Sequence, residues 1–439
     1  MNKKLIGTFV CMLLLTTCVI PVKADTTKDA LSVSSNDLAF DLTIKLLIKL
    51  IGYSSLAACI IKDNQIIWSI GYGYYDRSEL KHATTDTIYN LMSISKTITG
   101  TALMQLYEQG LFELDDDVNT FLPFDLRNPN FPDDPITFRM LLSHTSSLYC
   151  PSYDYYWNNF SGDPPFNFYP EQFLKEYLLP GGEYYDPGVW STEHRPGEYA
   201  LYVNVGFEII AYLVELISGE LFLEYCDTYI FSPLDMKNTG FNLSCLDIDQ
   251  VAIPYWRVMC RYYKINELRF WFGGYTPPDQ YWRIRWYPAG GLYSTVSDLS
   301  HFLIAHMNDG IYNGTRILQK ETVELMHEIQ PGNQIDYGLA WYQDTIWGIN
   351  VTGHSGGNVG VNTEMCYNQT EEIGVIWFAN GCPGYYQPLG EYHVFKILNY
   401  LLFTKEGTFK GKMQHNLTIS SDPFFLTPFK QFLETHPKQ

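Results

Sequence analysis

The chain has 439 residues, 46% apolar and 18% charged, a globular composition that excludes a largely disordered protein. Its formal charge of −19, from 29 basic and 48 acidic residues, disfavours nucleic acid or an anionic membrane as a partner. A chain this long calls for one large core or two packed lobes.

Residues 1–24 read as a signal peptide, with Lys3 and Lys4 as the basic start, an apolar stretch over 5–20, and Val22-Lys23-Ala24 as a small-residue cleavage site. That stretch is short for a spanning helix, so a secreted, periplasmic or extracellular protein with no membrane span is expected. Cys18 is a poor candidate for a lipid anchor, because Thr17 precedes it. Removal of the leader takes three lysines and leaves a charge of about −22, together with cysteines 59, 150, 226, 245, 260, 366 and 382. That is an odd number, so even in an oxidising compartment one thiol stays unpaired. Spacings typical of metal ligands are absent. Six N-x-[S/T] sequons occur, at Asn159, Asn242, Asn313, Asn350, Asn368 and Asn416.

In chain order, 38–51 carry apolar residues at helical spacing and predict a helix packed on a sheet. Two apolar runs, 56–61 and 66–70, flank Lys62-Asp63-Asn64-Gln65 and predict a hairpin that ends over Gly71, Gly73 and Asp76. A helix is predicted over 93–109 with Gly110 as its cap, and 111–147 read as mostly helical with loops. Residues 149–190 are rich in Pro, Gly, Asn and Tyr and read as long loops. A second capped helix is predicted over 205–218, and another aromatic, turn-rich stretch follows at 253–288. After a helix at 297–307, the segments 337–341, 346–353, 363–367 and 373–379 read as antiparallel strands. Residues 405–439 read as a tail. Strands at both ends with helices between predict an α+β fold, with one antiparallel sheet completed by both chain ends and flanked by helices, and a mainly helical lobe inserted. The sheet lobe would comprise about 35–92 and 289–404, and the helical lobe about 93–288.

Three short elements carry chemistry. Ser93 opens a helix, where free backbone N–H groups favour developing negative charge, and Lys96 lies three residues on, along the same face. A buried amine there can accept the serine proton. Tyr202-Val203-Asn204 precedes the second helix; a phenol beside a lysine can serve as a general base, and the amide can bond a substrate carbonyl. His354-Ser355-Gly356-Gly357 lies between strand-like runs, and its glycines suit close approach of a substrate backbone or an oxyanion.

In order and setting, these elements resemble the serine β-lactamase and penicillin-binding-protein family, in particular its class C, D-alanyl-D-alanine carboxypeptidase and esterase branch. The segments ITFRMLLSHTSSL (136–148), RPGEYALYVNVGFEIIAYLVELISG (195–219), PAGGLYSTVSDLSHFL (288–303), YGLAW (337–341) and GHSGGNVG (353–360) extend the likeness from about 35 to 403. The resemblance implies a β-lactamase/transpeptidase-like fold with a cleft between two lobes and no cofactor or metal. It implies Ser93 as nucleophile, Lys96 and Tyr202 as the proton-handling pair, and Asn204, His354, Ser355, Gly356 and Gly357 as substrate-binding residues. The backbone N–H groups of Ser93 and Gly357 would form the oxyanion hole.

Two departures stand out. His354 replaces a usual lysine, and a neutral imidazole anchors a substrate carboxylate more weakly than an ammonium, so ester or peptide cleavage is expected before penicillin hydrolysis. Ser147 replaces a usual glycine, which bears on the shape of its loop. The expected activity is a secreted serine hydrolase acting on a small-molecule or peptide substrate. A D-alanyl-D-alanine carboxypeptidase or β-lactamase, and a catalytically silent binding protein, stay open as alternatives.

Overall fold

The hairpin expected near the N-terminus forms from β1 (Ser55–Lys62) and β2 (Gln65–Asp76), joined through Asp63 and Asn64 at φ 49° and 59°. Short polar side chains tolerate this left-handed backbone, which suits the twist of a two-residue hairpin turn. The computed structural model describes residues 35–149, 170–258, 261–268, 280–281, 286–381 and 391–405. β2 runs through both glycines and ends at Asp76, the last of the three residues expected to end it. A Cβ at Gly71 would meet the Ala83 carbonyl at 2.2 Å, and Gly73 has φ +74° beneath the Ser54 carbonyl, so both let neighbouring backbone come close within a continuing strand.

Short strands follow: β3 (Lys81–His82) on β2, β4 (Tyr89–Asn90) with β7 (Tyr293–Ser294), β5 (Tyr255–Val258) with β6 (Arg261–Lys264), and β8 (Ile311–Tyr312) with β9 (Thr315–Arg316). The C-terminal strands are β10 (Tyr342–Ile346), β11 (Ile349–Asn358), β12 (Val361–Asn368) and β13 (Ile373–Asn380). They complete a seven-stranded antiparallel sheet in the order β10-β11-β12-β13-β1-β2-β3, so the two chain ends meet at the β13–β1 pair.

Strands β12 and β13 are buried along their whole length, because helices cover both faces of the sheet. Leu56, Ala58, Ile60, Val375 and Trp377 pack against Ile44, Leu47, Ile48 and Ile51 of the helix Ser35–Ile51 and Leu398 and Leu402 of the helix Glu391–Thr404. Ala57, Cys59, Ile61, Ile376 and Phe378 face the other way and join the larger core with the helices Val296–Met307, Ser95–Glu108 and Val205–Ser218. The α+β sandwich predicted from the sequence is the fold observed.

Several local predictions are corrected. Residues 111–147 hold only a 3-10 turn at Val118–Thr120 and a five-residue helix at Phe138–Leu142; prolines at 123, 129, 132 and 135 and turn-forming Asp and Asn break the pattern. The segment 337–341 is a bend, since Leu339 N–H bonds the Met326 carbonyl and Ala340 N–H the Leu142 carbonyl instead of a strand partner. The predicted strand 346–353 is two strands, turned at Trp347 (φ 49°) and Gly348 (φ 91°). The helix Pro170–Leu178 lies inside a stretch expected to be loop. The aromatic stretches 149–190 and 253–288 lie in part outside the described residues, and residues 1–34 and 406–439 wholly so.

No helix among the described residues is long and apolar enough to cross a membrane. Cys59, Cys226 and Cys366 are buried thiols and Cys245 is exposed, none of them in a disulfide; Cys150, Cys260 and Cys382 lie outside the described residues.

Candidate active site

Ser93 sits in a 3-10 turn, Met92–Ile94, that leads directly into the helix Ser95–Glu108. Met92 just before it has φ 51°, a left-handed backbone that an unbranched side chain adopts only when its surroundings enforce it. Here they do. Asn90 Oδ1 accepts the Met92 N–H at 2.9 Å, and Ser95 Oγ donates to the Met92 carbonyl at 2.6 Å. Ser95 Oγ in turn accepts the Leu292 N–H at 3.0 Å, and Thr363 Oγ1 of β12 donates to the Leu91 carbonyl at 2.8 Å. Four side-chain bonds thus fix the backbone that presents Ser93.

Lys96 lies one turn along the helix and is fully buried. Its Nζ donates to Ser93 Oγ at 3.2 Å and to the Ala289 carbonyl at 2.8 Å. It also lies 4.9 Å from the centroid of the Tyr202 ring and 5.6 Å from that of Phe207, within cation–π range of both. Ser93, Lys96 and Tyr202, 109 residues apart at the extremes of the sequence triplet, are therefore gathered around one amine. Asn204 is the N-cap of the helix Val205–Ser218, and its buried Oδ1 has no hydrogen-bond partner among the described residues. A buried amide oxygen left so carries a desolvation cost of about 1–3 kcal/mol, which a ligand N–H would relieve.

β11 completes the site. β10 pairs only with its first half, up to Gly353, so 354–358 are bonded on one side alone, to β12. Gly356 presses onto the turn that carries Ser93: a Cβ there would meet the Leu91 carbonyl at 2.1 Å and Thr363 Oγ1 at 2.4 Å. Gly357 is exposed, with nothing closer than 3.6 Å to such a Cβ. One glycine allows close packing and the next stands at open space.

His354 is buried, with 3% of its surface exposed. Its Nδ1 lies 2.7 Å from the Ser355 carbonyl and its Nε2 2.8 Å from the Tyr337 hydroxyl. Burial, with Lys96 nearby, pushes it down to about 3, against the opposing pull of the Ser355 carbonyl; the ring is neutral. Two residues without an assigned role in the sequence complete the wall. His144, from the LLSHTSSL segment, packs its ring 4.3 Å from that of Tyr202 and 4.9 Å from that of Tyr337. Burial, then Lys96 and His354, hold it well below the usual imidazole range. Tyr337, from YGLAW, is fully buried, and burial raises its phenol well above its usual range. Both lay in recognised segments, but nothing in their spacing separates a site wall from core packing.

Ser147 explains its own departure. Its φ is 64°, the conformation that favours glycine, and its hydroxyl bonds Asn128 Nδ2 at 2.6 Å and donates to the His194 carbonyl at 2.8 Å. The loop keeps the glycine shape through side-chain bonds. No group of three His, Cys, Asp or Glu among the described residues is placed to hold a metal ion.

With this geometry in view, comparison with known proteins decides the family. The model of the Beta-lactamase family matches residues 44–394. The chain belongs to the Beta-lactamase family. A penicillin-binding protein of Bacillus subtilis (strain 168) is 27% identical over 327 residues, covering 72% of this chain and 65% of that one. The chain thus spans slightly less than two thirds of that relative's length. Among solved structures, the octameric penicillin-binding protein homologue from Pyrococcus abyssi is 25% identical with a TM-score of 0.61, over 83% of this chain and 76% of that one. The D-amino acid amidase from Ochrobactrum anthropi SV3, 17% identical, superposes with a TM-score of 0.61 over 83% of this chain and 99% of that one. The chain thus shares its fold with a penicillin-binding protein homologue and with an amidase.

Proposed function

We propose that the protein is a serine hydrolase that cleaves an ester or amide through an acyl-enzyme on Ser93, exported after loss of residues 1–24. The observation that carries this reading is the buried Lys96 amine within 3.2 Å of Ser93 Oγ at a helix start. Ser93 Oγ attacks the substrate carbonyl carbon while its proton passes to the Lys96–Tyr202 pair. The carbonyl oxygen becomes an oxyanion held by the Ser93 and Gly357 backbone N–H groups, and Asn204 bonds the acyl portion. The bond to the leaving group then breaks, and Tyr202 returns the proton to that group. Water attacks the acyl ester, gives a proton to the same pair, and releases the acid with Ser93 restored.

The test is covalent labelling by a fluorescent fluorophosphonate. The protein labels, and Ser93→Ala does not; equal labelling of the variant would show the nucleophile to be another residue. No labelling of either protein supports a silent binding protein instead. The likeness to a penicillin-binding protein favours a second reading, a D-alanyl-D-alanine carboxypeptidase. Turnover of a D-Ala-D-Ala peptide far above that of a p-nitrophenyl ester establishes it in place of the esterase.

A further inference from the structure

Hydrogen-bond directions at His354 are settled by its partners. A carbonyl oxygen can only accept, so the 2.7 Å contact with the Ser355 carbonyl requires the proton on Nδ1. In a neutral ring Nε2 is then a lone pair, and it accepts from the Tyr337 hydroxyl at 2.8 Å. Tyr337 is buried and keeps its phenolic proton to give. The result is a directed chain in which Tyr337 O–H donates to His354 Nε2, and His354 Nδ1–H donates to the Ser355 carbonyl. Neither ring nitrogen has an N–H left for a ligand, and the ring is almost wholly removed from the surface.

The chain ends on the backbone of β11 one residue before Gly356, the glycine that rests against the Leu91 carbonyl and the Met92 side chain of the nucleophile turn. This half of β11 has lost β10 as a neighbour, so the chain supplies lateral support where the sheet does not. Thr363 reinforces the same place: its hydroxyl lies 2.8 Å from the Leu91 carbonyl and 3.2 Å from the Gly356 carbonyl. Lys96, which adds to the shift of this neutral ring, is fully buried beside Ser93.

We propose that His354 is a positioning residue that, with Tyr337, fixes the Ser355–Gly357 backbone against the Ser93 turn, and that the site recognises substrates without a carboxylate anchor here. The substrate class that fits is an ester or amide whose leaving group is uncharged. This rests on Ser93 being the nucleophile, and it narrows that reading from acyl transfer in general to neutral leaving groups. It also reverses the role that sequence resemblance assigns to His354: the imidazole serves the strand, not the substrate.

The experiment offers the full chain two butyrate esters, identical except that one leaving phenol bears a 3-carboxylate and the other a neutral 3-carboxamide. Tyr337→Phe and His354→Ala are each measured for kcat and KM on both. Misplacing the strand lowers kcat about tenfold on both esters with KM little changed, and leaves the ratio of kcat/KM between them as in the parent. The double variant is no worse than the poorer single one, since both break one chain. A rise in KM confined to the carboxylate ester on His354→Ala overturns the proposal, as does an unchanged kcat on the carboxamide ester. Should His354→Ala not fold, the near-isosteric Tyr337→Phe carries the same test: equal kcat losses support the positioning role and an unchanged kcat overturns it. Failure of the nucleophile reading is seen separately, as hydrolysis of both esters by Ser93→Ala.

Discussion

Two clusters of buried rings in this molecule use the same parts to different ends. Around Ser93, the rings of His144, Tyr202, Tyr337 and His354 surround a lysine amine. Elsewhere His306, His327, Trp341 and Tyr367 pack together, with His306 4.5 Å and His327 4.7 Å from the Trp341 ring and His327 bonded to the Tyr367 hydroxyl at 2.9 Å. Both hold neutral histidines kept so chiefly by burial. Lys96 adds to the effect in the first cluster; in the second, burial acts alone on His327 and is joined at His306 only by His327. The lesson is that buried aromatic histidines do not by themselves mark a site. What distinguishes the first cluster is an amine and a hydroxyl brought within 3.2 Å.

The sharpest way to break this contrast is Ser93→Ala, expected to lower hydrolysis at least about 10³-fold with no change in thermal midpoint. Next is Lys96→Met, which replaces a buried amine by an apolar chain of similar length. It is expected to lower kcat about 10²- to 10³-fold while stability is kept or raised, because the desolvation cost of a buried ammonium is removed. Kinetics and a melting curve on one preparation check both halves; a loss of folding would make Lys96 structural, like the second cluster.

Acid titration probes what the clusters share. His327 and His354 are held near 3, below the ordinary value of 6.5, so the unfolded chain binds more protons between those limits. Stability is therefore expected to fall as pH drops from about 6.5 toward 3, by up to about 1.4 kcal/mol per unit for each such ring. His327→Gln should flatten the dependence of melting temperature on pH without touching kcat. A slope left intact would mean that other groups take up the protons. The smallest expected effect lies at Ser147. Ser147→Ala keeps the left-handed strain and loses two bonds, lowering stability about 1–2 kcal/mol in denaturant melts, whereas Ser147→Gly relieves the strain and should sit close to the parent.

How much of this was legible in the sequence follows from the range of the forces involved. Helices with a regular apolar face and a glycine stop, such as Val205–Ser218 ending at Gly219 (φ 76°), are local and were read nearly to the residue. The sheet order was legible in outline, because apolar runs at both ends must find each other. The bend at 337–341 was not, since its apolar residues bond Met326 and Leu142, partners that no local pattern names. At the site, Ser93 and Lys96 are neighbours on one helix and could be paired by spacing. Placing Tyr202 there took resemblance. The engagement of His354 Nε2 depends on Tyr337, a contact that only the three-dimensional arrangement reveals.

The meeting of the chain ends has a consequence for how the molecule is made. β1 lies between β2 and β13, and Ser55 pairs with Asn380, 325 positions away. Until almost all of the chain has been synthesised, an apolar strand meant to be covered on both faces has only its hairpin partner. Such a topology has high contact order, which slows folding and leaves a sticky edge open in the meantime. The Ser93 turn rests on β11 and β12, so its backbone gains these supports only once those distant strands are in place.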